Sequence, residues 1–192
     1  MSNFFALLSR MKYIDRWALM RATRQETLSE HTLEVAMLSH ALAVLGNTYL
    51  GKNIDVAHCA LVALYHDAPE IITGDMPTPV KYLNKDIMTA YKKVEAIASE
   101  KLVSTLPEAM RSEYSSLLDD ENNPQRRIIK AADKLAAYIK CLEELKAGNE
   151  EFRLAAQQTL DKLQSLNMPE VDYFLEHFIK SFELTLDELQ LD

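Results

Sequence analysis

Four ionisable side chains stand where an apolar interior would reject them. His31 falls in the first turn of a helix-forming segment, His66 and Asp67 close the most hydrophobic run of the chain, and Asp133 interrupts the apolar series Ile128 to Leu142. Burying an imidazole or a carboxylate without a partner costs several kcal/mol. A divalent cation would compensate all four at once, binding neutral imidazole nitrogens and carboxylate oxygens while leaving positions open for water or substrate. Each residue also has an ordinary reading on its own. His31 could pair with Glu30 or Glu34, Asp133 with Lys130 or Lys134, and a His-Asp dipeptide is common by chance. The order His, then His-Asp, then Asp, on three successive major helices, is what a single metal site in a helical bundle requires. His40, His58 and His177 lack such company; His40 reads as core or boundary, the other two as surface or packing. Glu143 and Glu144, beside Lys140 and Lys146, read as a solvated helix end.

The elements that must position these residues follow from periodicity and punctuation. Phe4, Phe5, Leu7, Leu8 and Met11 predict a helix from Asn3 to about Tyr13. An arginine-rich loop, Asp15 to Leu28, carries Arg16, Arg21 and Arg24 around Trp17. Thr27 with Glu30 forms a capping box for a second helix with a stripe of Leu33, Ala36, Met37, Ala41 and Val44, ended by Gly46. Asp55 caps a third helix running to His66, apolar nearly all round and so expected in the middle of the bundle. Pro69 removes an amide donor and crowds the Tyr65 carbonyl, so regular helix should stop or kink near Ala68. Gly74, Pro77 and Pro79 then make a structured loop. A helix from about Asn84 to Leu106 should bury Ile87, Tyr91, Val94, Ile97, Ala98 and Leu102, and a shorter one spans Pro107 to Leu118. Asp119 to Pro124 reads as a polar turn, followed by a central helix through Asp133 that Gly148 stops. Two further helices cover about Glu150 to Leu166 and Glu170 to Phe182.

Composition bounds the function classes. The 192 residues suit one all-α domain, residues 1–192, with one core. A net charge of -8 argues against a nucleic-acid polymer, whose phosphates need a basic surface, but leaves room for one small phosphate beside a metal and an Arg or Lys. Cys59 and Cys141 sit in apolar helical patterns without metal or redox spacing, which predicts buried free thiols. That usage, with no signal-like start and no membrane-length apolar run, gives a cytoplasmic protein as the expectation.

The ordered set His31, His66-Asp67 and Asp133 resembles the signature of HD-domain phosphohydrolases. The stretches Phe4-Phe5-Ala6, Arg16-Trp17, Ser29-Glu30-His31, Tyr65 to Glu70, Thr73 to Tyr82 and Cys141 to Leu145 resemble, in the same order and over almost the whole chain, the bacterial 5′-deoxynucleotidase family of the YfbR type. The resemblance implies an HD-type helical bundle that hydrolyses deoxyribonucleoside 5′-monophosphates to deoxynucleoside and phosphate. It also implies a homodimer, a divalent transition metal such as cobalt, manganese or copper, and a preference for sugars lacking the 2′-hydroxyl.

On that footing His31, His66, Asp67 and Asp133 are the expected metal ligands, His31 and Asp67 also facing substrate. Arg16 would orient the phosphate through a forked pair of hydrogen bonds. Trp17 would pack on the deoxyribose and leave no room for a 2′-hydroxyl, its rival role being that of a core tryptophan. Glu70, four positions after His66, and Asp75, after a glycine turn, would share the general base and proton donor roles. Met76, Pro77 and Thr78 would line the pocket or simply stiffen the loop. The alternatives are another HD enzyme, acting on a nucleoside triphosphate, a cyclic nucleotide or a guanosine polyphosphate, and a non-catalytic helical module that uses the metal for stability.

Overall fold

The computed structural model describes residues 2–81, 83–118 and 125–189; the polar turn expected at 119–124 and Tyr82 lie outside them. Every regular element among these residues is helical, apart from an isolated antiparallel bridge between Asp15 and Thr27. The order is α1 (Phe4–Leu8, continued as a 3₁₀ turn over Ser9–Tyr13), α2 (Leu28–Tyr49), α3 (Val56–Ala63), α4 (Glu70–Thr73), α5 (Thr78–Lys81), α6 (Lys85–Ser104), α7 (Glu108–Leu118), α8 (Arg126–Lys146), α9 (Arg153–Ser165) and α10 (Pro169–His177). Two further 3₁₀ turns cover Glu150–Phe152 and Ile179–Glu183. Helices α2 and α8 form the centre: α2 packs on α3, α8 and α10, and α8 on α9. Their shared core includes Val35, Leu38, Leu42, Ile128, Ala132, Leu135 and Ile139. A smaller cluster of Phe4, Ala68, Leu102 and Leu106 ties α1 and α6 to the turn after α3. Cys59 and Cys141 are buried free thiols, as their apolar setting predicts. No described helix is long and apolar enough to cross a membrane.

Local signals set several boundaries. Thr27 caps α2 with the full capping box, its side chain accepting from the Glu30 amide while Glu30 accepts from the Thr27 amide. Asp55 and Asn84 cap α3 and α6 more simply, their side chains accepting from the His58 and Ile87 amides. Gly148, at a φ of 84°, follows the C-cap of α8 in the left-handed region that favours glycine.

Other expectations are corrected. Gly46 does not end α2, which continues to Tyr49; a Cβ there would meet Ile54 Cδ1 at 2.9 Å and Glu170 Oε1 at 3.1 Å, so this glycine permits close helix approach. Of the apolar stripe assigned to α2, Ala36 is buried and Ala41 packs on the core, but Leu33, Met37 and Val44 are exposed, and the core instead takes Leu28, Val35, Leu38, Leu42 and Leu45. On α6, Val94 and Ile97 are likewise exposed, while Tyr91, Ala98 and Leu102 are buried. The third helix is shorter and less central than its hydrophobicity suggests: it ends at Ala63, with Leu61 exposed.

Candidate metal centre

His66 and Asp67 therefore do not sit on a helix. They fall in a run of turns between α3 and α4, closed by Tyr65 N to Val62 O, Ala68 N to Tyr65 O and Glu70 N to Asp67 O bonds. Pro69 supplies the physical reason, since it has no amide to donate back to Tyr65 and its ring crowds that carbonyl. Ala68, fully buried against Phe4 and Leu102, anchors the run. Glu70 accordingly does not follow His66 along an unbroken helix, yet it is still buried, at the start of α4.

Three separate elements converge at this turn. His31, from the first turn of α2, has no exposed surface, and its Nε2 lies 3.2 Å from Asp133 Oδ1 of α8 and 3.5 Å from Asp67 Oδ2. His66 Nε2 lies 3.0 Å from the same Asp67 oxygen. One ligand atom from each of His31, His66 and Asp133 falls within 4.8 Å of the others. Donor atoms sharing a cation at about 2.1 Å stand roughly 3 to 4 Å apart, so these separations suit a single ion.

The protonation geometry makes the same point. His66 Nδ1 is 2.6 Å from the Ala63 carbonyl, which only accepts, so Nδ1 donates and Nε2 is the free position. Such an orienting contact is the usual companion of a metal-bound imidazole. Nε2 of His66 and both nitrogens of His31 are buried without a hydrogen-bond partner among the described residues. In the neutral ring, the Nε2 lone pair would point at a carboxylate oxygen, a repulsive contact that either a proton or a metal cation on Nε2 would relieve. Burial alone would lower the His66 pKa, but the negative charges of Asp67 and Asp133 raise it to about 9. The converse holds for the acids. Burial opposes ionisation of Asp67, but His66 and His31 bring it to about 2, and the two histidines and Arg16 hold Asp133 well below the carboxylate range. The four side chains expected to bind metal are thus together, and the donor set fits a divalent cation.

The arginine-rich loop closes over them. Arg16 NH1 is 3.7 Å from Asp67 Oδ2 and its Nε 3.2 Å from Glu26 Oε2. Burial would lower its pKa, but Asp67, Asp133, Glu26 and Asp75 together raise it. Trp17 donates Nε1–H to the same Glu26 oxygen at 2.7 Å and tilts against Phe152 with centroids 5.3 Å apart, so part of its ring joins the core. Glu70 is 6% exposed with Oε2 unpartnered among described residues; burial, Asp67 and Asp75 push its carboxyl up to about 10. Asp75 is raised by burial, against the pull of Arg16. Met76, Pro77 and Thr78 continue the loop from Asp75 into α5, Thr78 being exposed.

Several polar residues escaped the sequence reading. Glu26 bridges Arg16 and Trp17, although a glutamate in a loop gives no signal of its own. Lys81 lies near Glu70, donates to Glu95 at 2.9 Å and sits 4.8 Å over the Tyr91 ring. Glu144 is only 1% exposed and accepts from Lys140 Nζ, Thr23 N, Thr23 Oγ1 and Asn149 Nδ2, so the solvated reading fails for it. His40 is exposed, not core or boundary.

Comparison with known proteins adds to this geometry. Residues 3–182 match the family model described as 5′-deoxynucleotidase YfbR-like. The chain is 51% identical to the 5′-deoxynucleotidase ECA3034 of Pectobacterium atrosepticum and 49% identical to 5′-deoxynucleotidase YfbR of Escherichia coli, covering 100% of this chain and 97% of each relative. An HD-domain phosphohydrolase of Listeria innocua superposes with a TM-score of 0.82 at 22% identity, over 94% of this chain and 88% of that one. The HD phosphohydrolase DatZ of cyanophage S-2L, solved with dA and one catalytic Zn²⁺, gives a TM-score of 0.62 at 20% identity, over 92% and 96% of the two chains. These two likenesses establish the HD-type fold.

Proposed function

The chain belongs to the YfbR-like 5′-deoxynucleotidase family, and from that premise we propose how its residues divide the work of hydrolysing deoxyribonucleoside 5′-monophosphates. It is a metal-dependent phosphohydrolase. His31, His66, Asp67 and Asp133 hold one divalent transition metal, cobalt, manganese or copper. The observation that carries this assignment is the buried Nε2 of His66, its tautomer fixed by Ala63, facing Asp67 Oδ2 at 3.0 Å with no hydrogen-bond partner among described residues. When bound, such a cation polarises a phosphate oxygen and acidifies the attacking water.

The chain's own groups do the rest. Arg16 orients the phosphate, a task suited to a planar guanidinium more than to an ammonium. Trp17 packs on the deoxyribose and excludes a 2′-hydroxyl by contact and desolvation. His31 and Asp67 also face the substrate, and Met76, Pro77 and Thr78 line its pocket. Glu70 and Asp75 move the protons, one taking a proton from water and the other giving one to the departing 5′-oxygen. Residues 1–192 act as one HD phosphohydrolase domain, in a cytoplasmic homodimer, without a nucleic-acid polymer or a membrane as partner.

Phosphate release from dAMP, AMP, dATP and bis-p-nitrophenyl phosphate, measured on chelated protein resupplied with Co²⁺, Mn²⁺, Cu²⁺ or Zn²⁺, tests the reading. Hydrolysis of dAMP should lead. Preference for the diester or the triphosphate would move the chain to a sister specificity, and metal uptake without turnover of any substrate would leave a structural module.

A further inference from the structure

We propose that Glu26 is a positioning residue that sets phosphate and sugar recognition together, holding Arg16 and Trp17 through one carboxylate oxygen. The inference rests on the reading above in which Arg16 and Trp17 meet the substrate.

Glu26 is 6% exposed, and its Oε2 accepts from Arg16 Nε at 3.2 Å and Trp17 Nε1 at 2.7 Å. Consecutive side chains on an extended strand point to opposite sides. Here both reach one oxygen because Trp17 adopts a φ of 60°, a left-handed conformation rare for a bulky residue that persists only when its surroundings enforce it. The backbone supplies part of that enforcement. Arg16 N donates to Glu26 O at 2.9 Å, Leu28 N to Ile14 O at 2.8 Å, and Asp15 pairs with Thr27, so Glu26 is held directly across from the Arg-Trp pair. The next residue, Thr27, caps the helix that carries His31. One side chain thus links the start of a ligand-bearing helix to the two residues that face substrate.

The charge of Glu26 has its own purpose. Arg16 is also drawn by Asp67, at 3.7 Å, and by Asp133. Without a competing carboxylate the guanidinium would collapse onto those two acids, and an incoming phosphate would have to pull it away. Glu26 anchors the Nε edge and keeps the fork directed across the site. The indole is fixed likewise at two points, its N–H on Glu26 and its ring on Phe152.

Trp17 is the only tryptophan, so its emission reports this contact without labelling. In the metal-loaded full-length enzyme, Glu26→Gln should leave metal content unchanged, shift the emission to the red and raise acrylamide quenching. It should raise KM for dAMP about tenfold, with kcat changed less and the deoxy-to-ribo preference reduced, as loss of a charged hydrogen bond implies. Glu26→Asp, which keeps the charge, should recover part of each change. Wild-type emission, KM and preference in Glu26→Gln would overturn the proposal. So would a Glu26→Asp variant that melts as Glu26→Gln does and recovers none of them. Trp17→Phe separates the two readings: an unchanged deoxy-to-ribo preference there removes the steric role of Trp17, while the Glu26 proposal is still judged on emission and on KM for dAMP.

Discussion

Two charged clusters share one face of α8, and they are finished differently. Asp133, Lys140 and Glu144 follow at i, i+7 and i+11, a spacing that puts all three on the same side. Around Glu144 the chain answers its own charges. Lys140 Nζ donates to Glu144 Oε1 at 2.6 Å and to the Arg24 carbonyl at 2.7 Å, while Thr23 and Asn149 fill the remaining oxygen. Around Asp133 it does not, and His31, His66 and Glu70 keep unpartnered buried atoms among the described residues. Completed polar networks stabilise a fold and fix its geometry, whereas an incomplete one costs energy unless something from outside completes it. The Glu144 cluster holds the arginine-rich loop down; the Asp133 cluster is the candidate site for a cation.

Breaking the comparison should separate stability from activity. The largest effect expected is from Glu144→Ala, which strands buried Lys140: a loss of about 3–5 kcal/mol on chemical denaturation. Asp133→Asn should instead lower metal content and dAMP hydrolysis together, by at least about a hundredfold in rate, with a smaller loss of stability in the chelated protein. Retention of both metal and activity would remove Asp133 from the site.

Acid sharpens the contrast. Burial would raise the Glu144 pKa, but hydrogen bonds from Lys140, Thr23 and Asn149 carry it well below its ordinary 4.5. A depressed folded pKa contributes stability that is complete above 4.5 and is lost as pH falls toward the folded value. The stability gap between wild type and Glu144→Gln should therefore be widest near neutrality and narrow in acid, as urea titrations at several pH values would read; a gap that widened in acid would contradict the assignment. Trp17→Phe should reduce the deoxy-to-ribo preference several-fold, with a stability loss of about 1–2 kcal/mol as buried Glu26 loses one donor. The smallest effect is from Thr27→Ala, about 1 kcal/mol from loss of the α2 cap, measurable by thermal unfolding.

The same contrast explains what could be read from sequence. The convergence of His31, His66, Asp67 and Asp133 was legible because imidazoles and carboxylates in apolar segments are anomalous wherever they occur, and their order fits one centre. Glu144 was misread because its lysine neighbour lies four positions away, as on any solvated helix, whereas Thr23 lies 121 residues off. Glu26 has the same difficulty, its role depending on a loop conformation that places Trp17 in the left-handed region. Helix types and ends were legible from local signals at Thr27, Asp55 and Gly148. The phase of α2 was not, because that helix carries apolar residues on its exposed side as well, Leu33, Met37 and Val44 among them.

The central claim is that the incomplete cluster is a divalent-cation centre. Its most direct test is to strip the full-length protein with a chelator, titrate Co²⁺ back, and follow bound metal and phosphate release from dAMP on the same samples. The account predicts no turnover in the stripped protein and activity rising in step with binding to one cation per chain, at a site that His66→Ala abolishes. Full dAMP hydrolysis by metal-free protein, or activity in His66→Ala equal to wild type, would contradict it.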